Sequence, residues 1–585
     1  MKDAPFTADR LLALYDRVAE AEDAIPRLRR FVLDLAVRGK LVAQDAGDEP
    51  AAELLKRIAK EKARLVKAGE IRASKAANPP MSEVLYDLPA NWAWASLGTI
   101  FNYDAGDKRD PKALDKALWL LELEDLEKDT GRLVDRLLAG QRESQSTKSE
   151  FRKDDILYGK LRPYLNKVIV ADQPGYSTTE IVAIRPFVPL CSDYCALALR
   201  RPDFVDYVTR LGQGTKMPRL RTEDAVVAPF PLPPLAEQRR IVGRVEELMA
   251  LCDQLQAARV GREAVRDRLT TATLSRLTDP DQPPESAPQN ARFALQTLPT
   301  LTTHPDQIKP LRQTILNLAV RGKLAEQDPT DEPAAELLKR IAKKRSAMLN
   351  ADYPNPAEAR TQKKKQAQQV LPAGLLALPS GWVWTTLQQA SLMVIDCKNK
   401  TAPYTQSGIK LVRTTNVRDG LLNSNDQKFV SESTYEAWSL RAKPEPGDIL
   451  ITREAPMGEV CVVPEGEKIC LGQRMMLARL VPNTIDPAFM LSSLRDPDLM
   501  DRVQDKPIGM TVQHLRVGGV ETLLVPLPPL AEQHRIVAKV DALMALCDQL
   551  EASLTTATTT RSRLLEALLH EALDGVLGVQ SEAAA

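Results

Sequence analysis

Apolar positions recur at steps of four, three, four and three in two separate stretches. The first is Ile241, Val245, Leu248, Cys252 and Leu255; the second is Ile536, Val540, Leu543, Cys547 and Leu550. A stripe this narrow fits a coiled-coil seam better than the broad apolar face of a surface helix. Each stripe follows PLPPL, whose prolines cannot sit inside a helix, so each helix is expected to start just beyond them. About forty residues of helix would span roughly 60 Å at 1.5 Å per residue. Two matching stripes each need a partner, and the pattern predicts that they pack on one another, antiparallel, about a pseudo-twofold axis. The alternative, that each helix packs only on its own domain, stays open. Shorter helices are expected at 27–37 and 311–320, and at 50–67 and 333–348. β-prone runs at 167–170, 410–412, 449–452 and 460–463 predict strands, with turns at Gly420, Pro446-Gly447 and Glu465-Gly466.

The matching stripes belong to a long internal repeat. LAVRGKL at Leu35 returns at Leu318, and EPAAELLKRIAK at Glu49 returns at Glu332, both 283 positions on. LPANWAW at Leu88 returns as LPSGWVW, 290 positions on, and PLPPLAEQ at Pro231 returns 295 positions on. The offset grows because insertions lie between the matched blocks. The inserts share only faint echoes, DDILYGKLRP from Asp154 against GDILITREAP from Gly447, and VAIRP from Val182 against LARLVP from Leu477. Five regions result: a helical framework at 1–87, a mixed α/β insert at 88–230, a central helical region at 231–377, a second insert at 378–525, and a final helix at 526–585. Six prolines between 278 and 307 mark an extended linker. One scaffold presenting two different surfaces is the reading that such a pattern supports; tandem duplication without a division of labour is the plain alternative.

At 585 residues the chain exceeds a single core, and 44% hydrophobic with 27% charged residues is ordinary for a globular protein. Scattered cysteines, a polar start and the lack of a bilayer-length apolar run predict a reduced, cytoplasmic protein with no membrane partner. A net charge of +1 argues against nucleic-acid binding through a large positive field, so any such binding must use local clusters or help from partners.

The inserts carry those clusters. The first offers Lys108, Arg109, Lys160, Arg162, Tyr164, Lys216 and Arg219; the second offers Lys398, Lys400, Arg413, Thr414, Asn416, Arg453, Arg474, Gln513 and His514. Arg and Lys hydrogen-bond guanine, and Asn and Gln read adenine in the major groove, although the same side chains also bind phosphate or simply face water. The loops GQGTKMPRL and IGMTVQHLR stand at matching places just ahead of PLPPLAEQ and are the strongest candidates. Lys363 to Lys365 read as a solvated linker or helix face rather than a DNA contact. Signals of catalysis are missing: no GxxxxGK[ST] loop, no Gly-rich cofactor loop, no clustered histidines. Asn78-Pro79-Pro80-Met81 lacks the aromatic that an adenine methyltransferase uses. A DNA-binding chain without catalytic, cofactor or metal sites is expected. A nuclease or methyltransferase with degenerate motifs, or a helical scaffold without a DNA role, are the rivals.

Two inserts, each opened by LPxxW and closed by a strand running into PLPPLAEQ, together with LAVRGKL and DEPAAELLKRI, resemble the specificity subunits of type I restriction–modification systems. The resemblance covers nearly the whole chain; GKLRPYLNK in the first insert departs from the TREAPMGEV of its twin. It implies an α+β fold, with two α/β target-recognition domains separated by long antiparallel coiled-coil helices. It also implies that each domain reads one half of a split, asymmetric site in double-stranded DNA. The helices would set the spacer and dock two methyltransferase subunits that carry S-adenosylmethionine, and motor-nuclease subunits using ATP and Mg would join for restriction.

Overall fold

The structure, a computed structural model, describes residues 19–71, 86–143, 145–211, 217–279, 286–504 and 514–582. The chain divides into two compact units, 1–263 with 557–585, and 264–556. Each long helix is shared out between them.

In the first unit the framework helices α1 (Ala24–Val37) and α2 (Ala51–Lys67) precede an insert bracketed by β1 (Ala93–Ser96) and β10 (Pro229–Leu232). These two strands pair antiparallel, Ala93 opposite Leu232. Between them run β2 (Phe101–Tyr103), β3 (Lys108–Arg109), β4 (Trp119–Leu121), β5 (Lys148–Phe151), β6 (Ile156–Gly159), β7 (Val168–Val170), β8 (Gly175–Thr178) and β9 (Ile181–Pro186). They form two four-stranded sheets, β2-β9-β6-β7 and β3-β5-β8-β4. β6 and β9 read as unbroken apolar runs because both of their faces are covered. Ile156, Tyr158, Val182 and Ile184 join the core under the helix Ser192–Arg200, while Leu157, Ile181 and Ala183 pack with Trp119 and Phe151. After β10 comes α3 (Leu235–Thr278), 44 residues long.

The second unit begins with the C-terminal end of α3, followed by α4 (Ala287–Leu301), α5 (Ile308–Val320), α6 (Ala334–Asn350) and α7 (Pro356–Ala367). Its insert is bracketed by β11 (Val383–Thr386) and β21 (Leu524–Leu527), paired antiparallel. Inside lie β12 (Ser391–Asp396), β13 (Ile409–Val412), the hairpin β14–β15 (Val417–Arg418, Leu421–Leu422), β16 (Lys428–Val430), β17 (Ile449–Thr452), β18 (Val460–Val462), β19 (Ile469–Leu471) and β20 (Met475–Leu480). The sheet order β12-β20-β17-β18 repeats β2-β9-β6-β7, and the parallel pair β13–β19 repeats β4–β8. Divergent sequences therefore fill one topology. The last helix, α8 (Leu530–Glu582), has 53 residues.

The repeated sequence blocks lock together. Glu237 of PLPPLAEQ accepts the Trp92 indole N–H at 2.9 Å, and Glu532 accepts that of Trp382 at 3.0 Å. Gln238 bonds the Cys191 amide and Gln533 that of Asp486, each tying the helix start to its insert. Arg240 pairs with Asp48 and Arg535 with Asp331, both at 2.6 Å, joining the same helix start to the DEP segment. Gly39 and Gly322 hold positive φ, +67° and +64°. A Cβ there would sit 2.4 Å and 2.6 Å from the prolines of the two LPxxW segments, so only glycine lets the turn close onto them. Motifs nearly 300 residues apart thus describe the same joint.

The apolar stripes find partners that differ in part from the expectation. In the first unit, Ile241 and Val245 pack with Val32, Ala36 and Val37 of α1. In the second, Ile536, Val540 and Cys547 pack with Ile308, Ile315, Leu316 and Ala319 of α5. The short framework helix of each unit therefore covers the start of its stripe, while Leu255 and Leu550 stay 41% and 37% exposed. The C-terminal part of each long helix belongs to the other half's unit. Leu565, Leu568 and Leu569 of α8 pack on Ala21 and Ala24 in the first, and Thr270, Thr273 and Leu274 of α3 are buried in the second. The RGK turns meet both long helices: Lys40 donates to the Leu573 carbonyl within α8, and Arg321 and Lys323 donate to those of Thr278 and Asp279 at the C-terminus of α3. Cations at free C-terminal carbonyls are favourable. Each long helix thus begins in one unit and ends in the other.

Two readings are corrected. The linker at 278–307 is not extended throughout, since α4 occupies Ala287–Leu301 with Pro288 in its first turn, where the missing N–H has no helical partner to lose. Lys363 and Lys364 are exposed on α7, as a solvated helix face should be, but Lys365 is not a solvated side chain. It pairs with Glu521 at 2.6 Å and donates to the Val394 carbonyl.

Candidate nucleic-acid interface

Both inserts bring three chain segments together at one corner. In the first, the Lys160 amide donates to the Glu180 carbonyl at 2.9 Å, and the Leu220 amide donates to the Lys160 carbonyl at 3.0 Å. In the second, the Arg453 amide donates to the Arg474 carbonyl and the Leu515 amide to the Arg453 carbonyl, both at 2.9 Å. The end of β6 or β17, the start of β9 or β20 and the loop before PLPPLAEQ thus meet in the same register. Arg162 and Ala455, two residues beyond the first segment in each copy, both adopt positive φ, +51° and +48°. The faint echo between GKLRP and TREAP is this shared turn.

The first corner gathers Lys160, Arg162, Tyr164 and Arg219. The Arg162 amide donates to the Pro218 carbonyl, Tyr164 is 41% exposed, and Arg219 pairs with Glu180 at 3.0 Å. Hydrogen bonding to Glu180 holds the Arg219 guanidinium above its ordinary pKa. Lys160 has no side-chain ion pair among the described residues. Lys108 and Arg109 lie on the β3 edge instead, bonded to Asp104 and Ser149 and to Glu150. β3 pairs with β5, which pairs with β8, the strand leading into Glu180. Lys216 falls outside the described residues.

At the second corner the Arg453 guanidinium donates to the Leu515 carbonyl, and Arg474, at φ +66°, pairs with Glu454 at 3.0 Å. His514 is the residue before Leu515; Gln513 falls outside the described residues. Lys398 and Lys400 are exposed on the loop after β12, where the Cys397 amide donates to the Met475 carbonyl, and Lys398 lies over the Trp438 ring at 4.4 Å. Arg413 and Thr414 follow β13, adjoining the Gly472 amide that bonds the Val412 carbonyl; Arg413 pairs with Asp426. Asn416 is a correction. It is 1% exposed, accepts the Arg413 amide and donates to the carbonyls of Asn423 and Asn425, so its amide is spent on holding this loop. Its counterpart Asp125 does the same in the first insert, accepting the Glu122 amide. Acids also stand at these corners, Glu180 and Glu454, which a pattern of basic residues does not signal.

A model of the type I restriction modification DNA specificity domain matches residues 397–557, which hold most of this second corner. The type I restriction enzyme EcoAI specificity subunit of Escherichia coli is 31% identical over 94% of both chains. The chain belongs to the type I restriction specificity subunits. Another such subunit, that of EcoEI from Escherichia coli, is 29% identical over 94% of both chains. A chain from a structure of a type I R-M system aligns with 83% of this one at a TM-score of 0.50 and 21% identity, a likeness of fold. In this specificity subunit, then, the strong repeat lies in the framework helices and their joints, and the weak repeat lies in the two inserts. Among the described residues no helix is long and apolar enough to cross a membrane.

Proposed function

We propose that this specificity subunit reads a bipartite, asymmetric site in double-stranded DNA, with each insert contacting one half. The observation that carries the reading is the pair of equivalent corners bearing different side chains: Lys160, Arg162, Tyr164 and Arg219 in one, Lys398, Lys400, Arg453, Arg474 and His514 in the other. A common frame with unlike contacts suits unlike half-sites. Lys216 and Gln513, next in sequence to Met217 and His514, and Lys108, Arg109, Arg413 and Thr414, on the flanks, complete the contact set. The chain itself is a non-catalytic subunit. Two methyltransferase subunits supply S-adenosylmethionine and much of the phosphate grip that a chain of net charge +1 lacks. Motor-nuclease subunits bring ATP and Mg for restriction. The long helices set the distance between half-sites.

Selection from a random duplex library, with the full chain assembled with its methyltransferase subunits, is expected to recover two short conserved elements around an unspecified spacer. The chain alone, given duplex and labelled S-adenosylmethionine, is expected to transfer no methyl group. A single uninterrupted element, or transfer by the isolated chain, contradicts the proposal.

A further inference from the structure

The two corners share their backbone register but carry opposite charge at one equivalent position. The residue whose carbonyl accepts from the end of β6 or β17 is Glu180 in the first insert and Arg474 in the second. Glu180 faces the cation Arg219 on the loop before PLPPLAEQ, whereas Arg474 faces the anion Glu454 on the turn after β17. Both pairs lie at the surface, with side-chain exposures of 24% and 53% in the first and 34% and 24% in the second. Pairs this exposed hold their partners weakly, so a base edge can compete for their hydrogen-bonding groups.

An acid in a DNA-facing corner is repelled by phosphate, so it is an unfavourable choice there unless it accepts a hydrogen bond that only some bases offer. In the major groove that donor is the exocyclic amine, N4 of cytosine above all. Arg474 has the opposite character: its guanidinium is a fork of donors suited to O6 and N7 of guanine. It stands at φ +66°, a conformation costly for a non-glycine residue, immediately after Gly472-Gln473. Glycine would occupy that backbone position without strain; this chain instead places there a guanidinium held at the surface by Glu454.

We propose that this one topological position is the base-selecting position of both inserts, read with opposite chemistry. Glu180 accepts from an exocyclic amine in its half-site, and Arg474 donates to a guanine in the other. Arg219 orients Glu180, and Glu454 orients Arg474. The inference rests on the DNA-reading function proposed above and assigns the side chain and hydrogen-bond polarity within each half.

The test is selection from a random duplex library by the full chain with its methyltransferase subunits, comparing wild type with Glu180→Gln, Arg219→Ala and Arg474→Gln, each checked for an unchanged thermal melt. Wild type without any bipartite preference would defeat the underlying function itself. Given a bipartite wild-type site, Glu180→Gln is expected to reduce discrimination at one base pair of a single half-site by roughly 10-fold or more. Arg474→Gln is expected to move one position of the other half-site from guanine towards adenine. Unchanged preferences with uniformly weaker binding would overturn the proposal, because they mark phosphate contacts. So would an altered preference in Arg219→Ala with none in Glu180→Gln, because the arginine and not the acid would then read the base.

Discussion

The joint between each long helix and its insert depends on a few side chains whose loss should be felt locally. Glu237 is pushed towards protonation by burial, and the bonds from Trp92 and Gln44 offset this. Trp92→Phe removes a donor while leaving the acceptor buried, which costs about 1–3 kcal/mol. Hydrogen exchange should quicken around 88–100 and 231–245, with Trp382 and its Glu532 joint in the other unit unaffected; equal quickening in both units would contradict this. Asp34 on α1 is a second local case. Burial lifts its pKa from 3.8 to about 6, Arg38 opposing the shift and Asp203 reinforcing it. A raised carboxyl contributes its full stability below the unfolded value of 3.8 and loses it as pH rises through about 6. Asp34→Asn should therefore raise the melting temperature at pH 8 by the equivalent of about 1 kcal/mol or more, since the half-buried site is partly solvated. The gain should vanish below pH 4, and a pH-independent gain would point to packing instead.

At the scale of elements, periodicity and punctuation were the legible part. Strands expected at 449–452 and 410–412 stand at Ile449–Thr452 and Ile409–Val412, and helices expected at 27–37 and 50–67 at Ala24–Val37 and Ala51–Lys67. The helices are legible because one face of each is buried, which writes a period into the chain, whereas Ile449–Thr452 is buried at every residue and reads as an unbroken apolar run. What the long stripes touch was not legible: Ile241 and Val245 say that a partner exists, and only tertiary structure shows that α1 covers them first. Helix α4 was hidden because proline in a first turn looks the same in a linear reading as proline in a linker. At the candidate site the basic residues were legible as types, but burial separates Asn416 from Arg453, and no pattern announces burial for a polar residue in a loop. The length of α3 carries a prediction at this scale. Inserting one or two helical turns after Leu255 lengthens that helix by roughly 5–11 Å. The unspecified spacer should grow by a few base pairs while both half-sites keep their sequence, as methylation-site sequencing would show. An unchanged spacer would mean that the helices are not the ruler.

For the whole molecule the economy lies in duplication. Trp92–Glu237 and Trp382–Glu532, Arg240–Asp48 and Arg535–Asp331, and the paired strands β1–β10 and β11–β21 make each insert a cassette closed by the same joint. Under the proposed function, an insert can then change its reading surface without disturbing the frame, since no side chain of these joints belongs to a corner. The central claim is that sequence preference resides in the inserts and symmetry in the frame. Replacing 387–523 with a second copy of 97–228 tests it most directly, read out by methylation-site sequencing of the assembled complex. The hybrid is expected to recognise an inverted repeat of a single half-site. Retention of the original asymmetric site would contradict the account, because it would place recognition in the frame that both halves share.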